Sequence, residues 1–206
     1  MRRTPTNFCG QRLKIAREFR ALTQSELARR VSASNALISL CEAGKDKRPS
    51  QDLVKACGEV LGFEPEFFYA PIEAAVEAVC SFRHRGTTPE RTKVQICAHA
   101  TLIDLVIQTL RSRRLFPRIN VPWVAASTKQ EIEMAAEQCR QHWNLGVDGP
   151  IQELRTVLEA AGVIVIDHVV KSKKVDTFSR YSVSMAMIFP NEQTQGGSAW
   201  NFQCCP

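Results

Sequence analysis

Apolar residues recur at the spacing of one helical face through the first seventy positions. Leu13, Ala16 and Phe19 share one side of a helix expected over Gln11 to Arg20, with Arg12, Lys14, Arg17 and Arg20 largely elsewhere. Thr23, with Glu26 three residues later, forms a capping box and starts a second helix, Gln24 to Val31, that buries Leu27 and Val31. The tripeptide SAS then makes a short turn. Ser34 caps a third helix, Asn35 to about Glu42, which Gly44 stops in a left-handed conformation. The basic loop KDKRPS leads to Ser50, the cap of a helix Gln51 to Leu61 with Leu53, Val54, Cys57 and Leu61 inward. Gly62 breaks that pattern, and EPEFFYAP predicts a helical turn that carries Phe67 and Phe68 into the core.

The pattern is looser afterwards. A short acidic helix is expected around Pro71 to Val79, and AVCSFRHRG follows without a clear period. Arg91 to Arg114 predicts a long helix with Val94, Ala98, Leu102, Leu105, Val106 and Leu110 on one side, and the two prolines of LFPRINVPW mark a linker or extended crossing. Thr128 caps a helix from Lys129 to His142 with Ile132, Ala135, Ala136 and Cys139 inward and Trp143 at its end. Pro150 opens a further helix that runs to about Ala161, where Gly162 stops it. VIVID, VDTFSRYS and SMAMIFPN predict three strands. The expected architecture is an α-helical N-terminal domain over 8–70, a helical connector over 71–126, and a mainly helical α+β domain over 127–206 with a small, incomplete sheet. Val183, Met185, Met187 and Ile188 would then face an uncovered side or an unpaired edge, so this domain is expected to melt less cooperatively than the first.

Bulk properties narrow the class. The 206 residues are 44% hydrophobic and 23% charged, ordinary for a globular protein. No apolar run approaches the length of a bilayer span, and MRRTPTNFCG lacks the apolar core of a secretory signal, so a cytoplasmic protein is expected. The eight cysteines include no CxxC pair and none has His at zinc-ligand spacing, which favours reduced apolar fillers over a zinc or redox site. His84 and His99 likewise lack a second ligand at useful spacing. Net charge adds a clue, because it is uneven. Residues 1–50 carry eleven Lys and Arg against four Asp and Glu, whereas the remainder carries sixteen against seventeen. A basic end on a neutral body fits either a polyanion partner or a solvated charged face.

The stretch LTQSELARRVSASNALISLCEAGKDKRPS resembles the helix-turn-helix domain of the Cro-repressor (Xre) family, through Leu22-Thr23-Gln24, Leu27-Ala28, Ile38-Ser39, Glu42-x-Gly44 and Pro49. The resemblance implies a duplex DNA partner, with the third helix in the major groove and the second across the backbone. Gln24 would then hold a phosphate. Ser34 begins the reading helix. Asn35 would pair with adenine or serve as a second turn residue, Ala36 would offer a methyl to thymine, and Ser39 would reach a base or phosphate. Lys45, Lys47 and Arg48 fit phosphate contacts beyond that helix. Two positions depart from the family pattern: Leu40, where a polar or basic residue is usual, and Cys41, where a large apolar one is. Leu40 cannot hydrogen-bond a base edge. Relatives usually act as dimers, so a homodimer is implied, with a dimer surface that no residue identifies.

SFRHR, WNLGVDGPIQELRTVLEAAGVIVI, VDTFSRY and MIFPN resemble, in that order, the region before the catalytic helix of regulators with an ImmA/IrrE-type zinc-peptidase domain. In that family an HExxH helix supplies two zinc ligands and a general base. This sequence has no HExxH, and its histidines at 84, 99, 142 and 168 all lie upstream of the expected place. No zinc ligand, no other cofactor and no catalytic residue can be assigned. AWNFQCCP resembles the aromatic lead-in to the metal-binding helix, so truncation or degeneration before the motif is expected. The expected function is a DNA-binding transcriptional regulator without peptidase activity, whose second domain also offers a surface for a protein partner. The alternatives are a zinc endopeptidase that cleaves a repressor partner with ligands from elsewhere, and an antitoxin-like or phage-type DNA-binding module.

Overall fold

In the computed structural model, residues 7–45, 48–72, 79–84, 87–111, 117–146, 148–167, 169, 174–182 and 185–191 are described. The chain divides into two units: Met1–Val76 with Thr88–Leu110, and Glu77–Thr87 with Arg111–Pro206.

The helices of the first unit begin where a side chain can satisfy their free N–H groups. These are α1 (Gly10–Phe19), α2 (Gln24–Arg30), α3 (Asn35–Glu42) and α4 (Gln51–Leu61), followed by a 3₁₀ turn at Pro65–Tyr69 and by α5 (Glu90–Arg111). At α2 the capping box is complete: Thr23 Oγ1 accepts from Glu26 N–H at 3.1 Å, and Glu26 Oε2 accepts from Thr23 N–H at 2.7 Å. Those hydrogen bonds hold the Glu26 carboxyl below its usual range. Ser34 and Ser50 cap α3 and α4 by accepting from Leu37 and Leu53 N–H. Gly62, at φ 72°, ends α4 in the left-handed region.

Leu13, Ala16, Leu27, Ile38, Cys41, Cys57, Leu61 and Phe68 fill the centre of this unit. Each large apolar side chain so buried contributes roughly 1.5–3 kcal/mol. α1 meets α3 closely enough that a Cβ on Gly10 would overlap the Cys41 carbonyl. Only glycine permits that approach. Among these apolar residues sits a charged pair. Arg17 donates from Nε to Glu42 Oε1 at 2.5 Å and from Nη2 to Glu42 Oε2 at 2.9 Å, while its Nη1 donates to the Leu22 carbonyl at 2.7 Å. Burial disfavours the Arg17 cation, but the Glu42 carboxylate outweighs this and raises its pKa. α5 joins the unit through Gln95, which donates to the Phe19 carbonyl, and through His99, whose ring lies 4.2 Å from that of Phe19. The stretch 71–126, read from sequence as one connector, is therefore shared between the two units.

The second unit holds β1 (Val79–His84), α6 (Lys129–His142), α7 (Leu154–Ala160), β2 (Val163–Val165), β3 (Val175–Ser182) and β4 (Met185–Pro190). The sheet order is β1-β3-β4-β2, with β2 parallel to β4 and the other pairs antiparallel. Phe82, Phe178 and Phe189 stand opposite one another on three adjacent strands, with ring centroids 4.7 and 5.1 Å apart. α7 covers β2 through Leu158 and Leu154, with Val121 and Trp143 packed on the same cluster.

Several sequence expectations are corrected here. The sheet has four strands, because 79–84 pairs with β3. β4 is interior rather than an edge, since β2 pairs with its far side, and Met185 and Met187 are buried. Val183 lies outside the described residues, as does most of the acidic helix expected around 71–79. α7 starts at Leu154 rather than Pro150, after Glu153 takes a left-handed φ of 53°. α6 buries none of its residues, and Ile132 is more than half exposed.

Replacing Glu42 by Ala would strand the Arg17 cation and should destabilise the first unit by about 3–5 kcal/mol. The double change Arg17→Met, Glu42→Leu should recover much of that loss. Amide exchange of α3 measures both, and an unchanged Glu42→Ala variant would refute the assignment.

Burial pushes the Cys57 thiol up to about 12, with Cys41 and Glu42 adding to the effect. The folded thiol stays protonated where the unfolded one, with an ordinary thiol pKa near 9.0, ionises. Its contribution is thus complete below pH 9 and is lost as pH rises towards about 12. Far-UV urea titrations should show stability falling above pH 9, with a shallower fall in Cys57→Ala.

Candidate nucleic-acid interface

α2 and α3 are joined by a tight turn over 31–34. Val31 N–H returns to the Leu27 carbonyl at 3.0 Å and Ala33 N–H to the Ala28 carbonyl at 2.9 Å. Ser32 at φ 53° makes the reversal, a left-handed conformation that costs a non-glycine residue roughly 1–2 kcal/mol. α3 then leaves the turn with Ile38 and Cys41 wholly buried and with Asn35, Ala36, Ser39 and Leu40 exposed. Cys41, one of the two departures from the family pattern, is thus a small core filler. Leu40, the other, stands 44% exposed on the outer face.

The outer face of α3 carries an amide, a methyl, a hydroxyl and an isobutyl group, and no charge. Its one charged residue, Glu42, is turned inward to Arg17. Asn35 lies in the first turn, and its Oδ1 accepts from Ser25 Oγ at 3.3 Å. That oxygen retains a second lone pair and the amide nitrogen two donors, enough for a bidentate contact. Gln24 is partly buried and donates from Nε2 to Glu42 Oε2 at 2.8 Å. This contact holds its side chain at the start of α2, with the second N–H and the carbonyl oxygen still available. Ser34 uses its hydroxyl to cap α3. Lys45 and Arg48 are exposed beyond the helix, and Lys47 falls outside the described residues. Arg29 and Arg30, exposed at the end of α2, add two cations that no motif singled out.

Three positioning groups escaped the sequence reading: Ser25, Arg17 and Glu42. A signal existed for the pair. Arg17 follows Leu13 by four residues and Glu42 follows Ile38 by four, so each sits on the apolar stripe of its own helix. Ser25 gave none, because its partner lies ten residues ahead across the turn. Among the described residues no three His, Cys, Asp or Glu are grouped to hold a metal, and no helix is long and apolar enough to cross a membrane.

Residues 9–66 match the family model described as a helix-turn-helix domain. The first unit therefore contains a helix-turn-helix domain, consistent with a DNA-binding regulator. No curated protein matches the chain.

The two serines of α3 should separate by readout. Ser34→Ala removes a cap and should cost about 1 kcal/mol of stability. Ser39→Ala should leave the melting temperature unchanged and weaken DNA binding instead. A Ser39 variant that lost stability and bound DNA normally would reverse the assignment.

Proposed function

We propose that the chain is a cytoplasmic, sequence-specific transcriptional regulator of the Xre type, joined to a degenerate, catalytically inactive peptidase-like domain. The carrying observation is the outer face of α3, with Asn35 in its first turn, braced by Ser25, on a helix-turn-helix scaffold. In this reading α3 enters the major groove. Asn35 pairs with adenine, and Ala36 and Leu40 supply apolar contact to thymine methyls. Gln24 binds a backbone phosphate with the amide N–H that Glu42 leaves available. Lys45, Lys47, Arg48 and the exposed Arg29 and Arg30 provide counterion-releasing charge on the flanks. Two copies bind two half-sites about one helical turn apart. In this reading the second unit is of the ImmA/IrrE type, a reading supported by the order of SFRHR, WNLGVDGPIQELRTVLEAAGVIVI, VDTFSRY and MIFPN along the sequence. The 206 residues contain no HExxH, so they supply neither its zinc ligands nor its general base.

The test is selection of bound duplexes from a random pool, followed by anisotropy titrations of the selected duplex at increasing salt. A steep loss of affinity with salt and an enriched motif are expected. Asn35→Ala should cost about 1–3 kcal/mol on the selected site and far less on random duplex. No measurable binding even at low salt would overturn the proposal.

A further inference from the structure

The first unit contains a cleft of about 720 Å³ between α1, the α4-to-3₁₀ turn and α5, within the range of small-ligand sites. One wall is aromatic, made by Phe19, Phe63 and Phe67, and the other is the aliphatic face of α5 that includes Leu102 and Val106. On α1, Arg12 and Phe19 lie seven residues apart on the cleft side, while Arg17 faces α3.

Two cations line this apolar cleft. Arg12 stacks over Phe67, with its guanidinium carbon 4.8 Å from the ring centroid, and donates from Nη2 to the Pro71 carbonyl at 3.1 Å. Its Nε is buried and has no hydrogen-bond partner among the described residues. Arg20 lies 5.0 Å from the Phe19 ring centroid and donates from Nε to the Leu61 carbonyl at 2.6 Å. It reaches that position because Gly62 has no side chain there, where a Cβ would overlap its Nη2. Among the described residues neither arginine has a carboxylate partner, although Arg17, between them on the same helix, has two. A buried donor without a partner carries a desolvation cost that an incoming acceptor removes. Burial accordingly holds the Arg12 pKa below its ordinary value.

We propose that this cleft is a ligand site for a small aromatic carboxylate, with the aryl body between Phe19, Phe63 and Phe67 and α5, and the carboxylate on Arg12 and Arg20. Three features specify that chemistry. Stacked rings select a flat, apolar body. Two guanidiniums with unused N–H groups select a planar anion, and a forked carboxylate matches their geometry better than a point charge. Among the described residues no carboxylate lines the cleft, which discriminates against amines.

The probes are 2-naphthoate, neutral 2-naphthalenemethanol and cationic 2-naphthylmethylamine, titrated into the full chain by their own fluorescence and by thermal shift. The readout is independent of DNA, so it separates this site from the regulator reading. Naphthoate should bind and raise the melting temperature with concentration. The alcohol should bind about tenfold more weakly and the amine more weakly still. Arg20→Gln, at an exposed side chain, should abolish the preference for the acid over the alcohol, and Arg12→Gln should do the same. Equal binding of the three probes, or an acid preference that survives both substitutions, would overturn the proposal. So would an absence of binding in a dimer that Val106→Glu dissociates, since the cleft would then belong to a second copy.

Discussion

The Arg17–Glu42 pair is the contact on which the geometry of the first unit depends. One guanidinium joins α1 to the end of α3 and, through the Leu22 carbonyl, to the turn before α2. The same carboxylate receives the Gln24 amide at the start of α2. Three helices thus converge on two side chains, and each polar atom has a directional requirement that apolar packing would not impose. Its net contribution to stability is small or even unfavourable, because both charges are desolvated. Its effect is on angle. Leu13, Leu27 and Ile38 could pack in several ways, but few of them also satisfy a forked ion pair. A helix that presents four side chains on one exposed face benefits from such a restriction.

The pair also explains the electrostatics of the outer surface. Glu42 is the only acidic side chain on α3, and turning it inward leaves the exposed face of that helix without a negative charge. Arg17, by the same contact, is withdrawn from the basic surface. The +7 of the first fifty residues therefore overstates what a polyanion would meet there, and the exposed cations are concentrated around α2 and the loop after α3. In the proposed reading, affinity and readout would fall to different residues: the exposed flanks carry charge, while the outer face of α3 carries shape and hydrogen-bonding groups.

How much of this the chain reveals in advance depends on whether the signal is local. Thr23 with Glu26, Thr128, Ser34 and Ser50 each set a helix start to the residue, because a cap involves neighbours three positions apart. Gly44, Gly62 and Gly162 set the stops for the same reason. Features that needed a distant partner were not legible. The polar alternation of SFRH is too short to announce a strand, and only the Phe178 ladder across the sheet makes it one. β4 read as a vulnerable edge because nothing local tells that β2, twenty residues earlier, returns to pair with it. In α6 the periodicity of Ile132, Ala135 and Ala136 is genuine, yet these residues do not form a buried face. Amphipathicity states which face can be covered and not that something covers it.

The candidate site follows the same division. Exposure of Asn35, Ala36 and Ser39 was legible from the period of α3, since Ile38 and Cys41 fix the opposite side. Ser34 combines two roles that sequence alone runs together, because a position proposed to meet DNA is also the one that must satisfy the free N–H groups of α3. Its hydroxyl is already committed to Leu37, so contact with a phosphate there would rest on backbone N–H groups and on the helix terminus. Leu40 changes meaning most. As a departure from a polar pattern it looks like a weakened site. Set beside Ala36, one turn earlier on the same exposed face, it extends an apolar stripe. In the proposed reading that stripe would complement methyl groups and exclude water, so α3 would discriminate by desolvation as well as by hydrogen bonding. Its preference would then depend less on salt than its affinity, which the flanking cations would control.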